Sequence, residues 1–158
     1  MKRYAIVAGL GLVLVWGWLS AFSWFDVRAL CRVHIDVELL EGDRASIKAA
    51  IAVVRAEDPV AYRDLCRWVE RIQEERHCQA GDPQADPRLR GQPINLAAID
   101  PSLRRAYEAP ACYMRGSRII VVRRARDDEN PATLLRERAE GLKRMAGYAR
   151  AFWTGAAR

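Results

Sequence analysis

Histidine is almost missing from this sequence: 158 residues hold two, His34 and His77. Neither has a second ligand type at metal-binding spacing, so each reads as a solvated or locally bonded side chain. The four cysteines include no C-x-x-C pair, which removes the usual zinc ribbons and fingers. There is no Gly-rich phosphate loop, no G-x-S-x-G elbow and no Cys/His pairing suited to a thiol nucleophile. No cofactor is therefore expected. Lys+Arg number 26 against 20 Asp+Glu, a formal net charge of +6. Arginine is dispersed without a dense block or interleaved aromatics, so a nucleic-acid partner is not expected. No internal repeat or low-complexity tract is visible.

What the sequence does have begins at its N-terminus. Tyr4 to Phe25 is a run of 22 residues without a charge, preceded by Lys2 and Arg3. A bilayer span needs roughly 20 apolar residues. The run is longer than the core of a secretory signal, and Ser20-Ala21-Phe22-Ser23-Trp24-Phe25 offers no small-x-small cleavage site. An uncleaved transmembrane anchor over residues 1–25 is the expectation, with residues 26–158 forming an extracytoplasmic domain. Cysteine usage agrees, because an even count outside the cytosol favours disulfides. Cys78 and Cys112 flank the irregular stretch 79–110 and are the first pair expected. Cys31 then pairs with Cys66 or stays free beside the membrane.

The remainder reads as a small α+β domain. Val33 to Leu39 alternates apolar and polar residues, as a half-buried strand does. Asp43 caps a helix with Ile47, Ala50, Ile51 and Val54 on its buried stripe. Asp58-Pro59 opens a second helix, carrying Tyr62, Leu65, Cys66, Val69 and Ile72 and ending near His77-Cys78. Residues 79–110 hold most of the prolines and no period. Gly116-Ser117 between two apolar runs marks a hairpin. Asn130-Pro131 then starts a long C-terminal core helix, with Leu135, Ala139, Leu142, Ala146, Ala149 and Phe152 along one stripe. The expected architecture is a transmembrane helix followed by a short sheet of about three strands on two or three helices.

The text CYMRGSRIIVV, a turn, then LLRERAEGLKRMA resembles the core of zincin metallopeptidases, and more closely the small zincin-like domains called minigluzincins. In those a strand leads to a helix bearing His-Glu-x-x-His, whose histidines hold zinc while the glutamate activates water. Here the corresponding residues are Arg136-Glu137-Arg138-Ala139-Glu140. The resemblance implies that Glu137 keeps the general-base position. Arg136 and Glu140 stand where the metal ligands would be, and arginine cannot ligate zinc. It therefore implies a zincin-like domain without a metal site. Arg136, Glu137 and Glu140 are the candidate binding residues, against an alternative in which Arg136 and Glu140 form an ordinary i, i+4 surface pair. Glu137 without a metal is the one catalytic candidate.

The expected role is non-catalytic binding or scaffolding at the cell envelope, with a peptide or protein partner and the domain periplasmic or extracellular. A metal-dependent peptidase with other ligands, and an accessory subunit of a membrane or secretion complex, are the alternatives.

Overall fold

The computed structural model describes residues 22–38, 42–76 and 109–156. Five strands form one sheet: β1 (Ser23–Asp26), β2 (Cys31–Asp36), β3 (Arg71–Glu75), β4 (Ala111–Met114) and β5 (Ile119–Arg123). Their order across the sheet is β1-β2-β3-β5-β4. The three central strands β2, β3 and β5 are parallel, and each edge strand is antiparallel to its neighbour. Among the described residues three helices accompany them: α1 (Arg44–Glu57), α2 (Pro59–Trp68) and α3 (Pro131–Thr154).

Alternation decides which face of the sheet is covered. Cys31, Val33 and Ile35 of β2 are fully buried, while Arg32, His34 and Asp36 face the other way, towards solvent. Ile72, Ile120, Val122 and Ala111 continue the inner face across the sheet. Onto it pack the helical stripes, with Ile47, Ile51 and Val54 from α1, Leu65 from α2, and Leu142, Ala146 and Ala149 from α3. The outer face has a small apolar patch of its own, Cys112 and Val121 with Ala109 and Ile119. Strand β5 is thus covered on both faces, as its run of four apolar residues implies.

The punctuation of the helices is local. Asp43 accepts from the Ser46 N–H at 2.9 Å, and Asp58 from those of Val60 and Ala61. Asn130 accepts from Ala132 at 2.9 Å and Thr133 at 3.4 Å, with Pro131 at the first helical position. Gly155, at φ 74°, ends α3 in the left-handed conformation that glycine adopts freely. Gly116, also left-handed at φ 79°, turns the β4–β5 hairpin.

Three expectations are corrected. First, among the described residues the anchor-plus-three-strand architecture gives way to five strands and three helices, and no helix there is long and apolar enough to cross a membrane. Ser23 to Phe25, read as the end of the span because they carry no charge, belong to β1. Trp24 faces inward there, and its indole N–H donates to the Tyr62 hydroxyl at 2.9 Å. Residues 1–21 of the expected span lie outside the described residues. Second, α2 stops at Trp68, and the five residues from Arg71 form β3 in place of a helical end at His77-Cys78, two residues that also lie outside the described set. Third, β2 ends at Asp36, short of the expected Leu39. The irregular stretch 79–110 is undescribed except for its last two residues.

Candidate functional site

Arg136, Glu137 and Glu140 of α3 each have a different setting. Arg136 is exposed and makes no pair with Glu140, whose carboxylate instead accepts from Lys143 one turn on, at 2.8 Å. Lys143 also reaches Glu57 at 2.7 Å, joining α3 to α1. Those two hydrogen bonds hold the Lys143 ammonium above its ordinary pKa. Glu137 is half-buried and lies 3.7 Å from the Arg123 guanidinium.

The charged residue that α3 does bury is Arg138, with no exposed surface at all. Its Nη2 donates to Oε1 of Glu74, on the inner face of β3, and to the Arg123 carbonyl at 3.0 Å. The other Glu74 oxygen accepts the Asp43 N–H at 2.9 Å, so one carboxylate ties β3 to α3 and to the entry of α1. Beside it Arg123 forks onto Glu129, which also accepts the Arg126 N–H at 3.1 Å. The hydrogen bond from Arg123 outweighs burial and lowers the Glu129 pKa. Arg124 grips Glu38 and lowers its pKa in the same way.

This network sits at the carboxyl ends of the parallel strands, the end where open α/β sheets usually seat ligands. Its carboxylates are already committed to guanidinium groups. The capacity left over is in donors: Nε and Nη1 of Arg138 and Nε of Arg123 are buried without an acceptor among the described residues. That balance suits anionic groups better than a metal ion or a general base.

At the opposite end of the sheet, a second constellation surrounds the β1–β2 turn. Tyr62 of α2 donates to Asp26 at 3.0 Å, the Arg28 N–H donates to the same carboxylate at 3.0 Å, and Arg55 lies 3.3 Å away. Burial opposes ionisation of Asp26, yet these partners together keep its pKa below the usual value. Burial also raises the pKa of the Tyr62 phenol, partly opposed by the Trp24 hydrogen bond. A disulfide joins Cys31, the first residue of β2, to Cys66 of α2. Between turn and helix opens a cavity of about 580 Å³, walled by Ala29, Leu30, Pro59, Tyr62 and Cys66, with Arg63 and Arg67 beside them.

Cys31 and Cys66 are therefore paired, the alternative with a free Cys31 being excluded. Cys112 is disulfide-bonded too, and its expected partner Cys78 lies outside the described residues. His34 is on the solvent face of β2, and no group of three or more His, Cys, Asp or Glu that could hold a metal occurs among the described residues. Arg138, Glu74, Arg63 and Arg67 are not among the expected site residues. The signal for Arg138 was its spacing, four residues from both Leu134 and Leu142, both buried. For Arg63 and Arg67 it was a one-turn spacing beside Tyr62 and Cys66.

No protein family, no characterised protein and no solved structure matches this chain, so nothing among known proteins bears on its likeness to the zincins.

Proposed function

We propose that this chain is a non-catalytic binding domain that works in an oxidising compartment, at the cell envelope or outside the cell. The observation that carries the reading is how the ionisable groups are committed. Glu74, Glu129, Glu137 and Glu140 each face a cation, leaving none of the four poised to take a proton from a substrate. Guanidinium donors, by contrast, remain unmet in the interior and stand exposed around the α2 cavity. The Cys31–Cys66 bond and the bonded Cys112 support the compartment.

The test is the zinc content of the folded full-length chain made in an oxidising compartment, measured beside peptide hydrolysis. A metal content near zero and no hydrolysis are expected. A stoichiometric ion that resists mild chelation would overturn the reading in favour of a metal-dependent hydrolase.

A further inference from the structure

The cavity beside α2 is a hollow about half open to solvent. Its volume, about 580 Å³, falls among those of small-ligand pockets, roughly 300–1,000 Å³. Apart from Arg63 and Arg67, its walls offer almost nothing polar. The Tyr62 hydroxyl already accepts from Trp24 and donates to Asp26, and Cys66 is held in its disulfide. What remains is apolar: the Leu30 side chain, the Pro59 ring and the face of the Tyr62 ring.

Leu30 is the anomaly. It is 88% exposed, and its φ of 50° places it in the left-handed region, the one non-glycine residue there among the described residues. A branched apolar side chain held in water by a strained backbone is unfavourable twice over. Cys31, next in the chain and fully buried, is bonded to Cys66 in the cavity wall, so the turn is tethered to α2 there. A tethered lip spares a ligand part of the cost of ordering it.

Charge identifies the other half of the ligand. Arg63 and Arg67 lie one helical turn apart at the cavity, both exposed and neither within ion-pair distance of a carboxylate among the described residues. The Arg67 guanidinium rests 5.1 Å above the Trp68 ring, an arrangement that orients its donors. Arg55 and Arg150, the neighbouring arginines of α1 and α3, are by contrast occupied by Asp26 and Asp64.

We propose that this cavity binds a single-chain amphipathic anion, an apolar chain ending in one carboxylate. The chain lies against Leu30, Pro59 and Tyr62, and the carboxylate meets Arg63 and Arg67. This inference rests on the reading as a non-catalytic binding domain and names its ligand class.

Calorimetric titration of the full-length chain with dodecanoate and with dodecanol, both below micelle formation, tests it. One dodecanoate per chain is expected, with dodecanol at least about tenfold weaker. Arg63→Ala with Arg67→Ala weakens dodecanoate by about tenfold to a hundredfold and leaves dodecanol unchanged. Leu30→Gly weakens both ligands while thermal stability holds or rises, because glycine takes this φ without strain. Absence of saturable dodecanoate binding, equal affinity for the alcohol, or indifference to the arginine substitutions each overturns the proposal. Binding to anionic vesicles alone would overturn it too, putting a membrane surface in the ligand's place. A metal-free chain that fails to bind dodecanoate discards this ligand only, whereas a tightly held metal discards the non-catalytic reading whatever the titration shows.

Discussion

A guanidinium with no exposed surface must find all its compensation inside the protein. Arg138 finds part of it in Glu74 and the Arg123 carbonyl, while two of its nitrogens have no acceptor among the described residues. Removing one member of such a pair leaves the other buried and uncompensated, which costs about 3–5 kcal/mol, whereas replacing both with apolar side chains is often near neutral. Arg138→Met should therefore lower unfolding stability by about that amount in urea titration. Adding Glu74→Leu should restore most of the loss, far from additively. Recovery should stop about 1 kcal/mol short, because Glu74 also accepts the Asp43 N–H. Strictly additive losses would mean that the two side chains act separately and that the pair does not hold β3 to α3.

Among the elements, α3 carries a built-in comparison. It contains Gly141 and Gly147, and each costs a helix roughly 1 kcal/mol relative to alanine when nothing else intervenes. At Gly147 nothing lies within 4 Å of where a Cβ would stand, but at Gly141 that atom would come 2.7 Å from the Ala111 Cβ of β4. Gly147→Ala should raise stability by about 0.5–1 kcal/mol, and Gly141→Ala should lower it, because helix and strand would have to separate. Equal effects at the two positions, read from thermal unfolding, would contradict this close approach. The sequence alone made α3, α1 and the hairpin legible, because Asn130-Pro131, Asp43 and Gly116 are local signals needing no tertiary partner. It hid β3 and β1 for a physical reason. In Arg71 to Glu75 one of the two inward positions is Glu74, so the apolar alternation that reveals a strand is broken by the residue that pairs with Arg138. In β1 the inward residue Asp26 follows an uncharged run, and its partners Tyr62 and Arg55 are distant in sequence. The candidate sites were illegible for the same reason, since what sets Arg63, Arg67 and Leu30 apart is the disulfide-clamped turn folded against them.

For the molecule as a whole, the Cys31–Cys66 bond links residues 35 apart and closes the chain from the start of β2 to the end of α2. A crosslink closing a loop of that size constrains the unfolded chain by about 3–4 kcal/mol. Cys31→Ala with Cys66→Ala should therefore reduce stability by about that much in urea. The slope of the transition tells which state the bond acts on. If the bond acts on the unfolded state, freeing it lets the denatured chain expose more surface, and the slope steepens. A loss of stability with an unchanged slope would place the effect in the folded state, where Cys31 has no exposed surface and its replacement leaves a void. Dodecanoate affinity in the same variant separates the two roles of the bond. Loss of a clamp that fixes the cavity wall lowers affinity even where the chain is fully folded, whereas loss of a bond acting only through the unfolded chain leaves affinity unchanged.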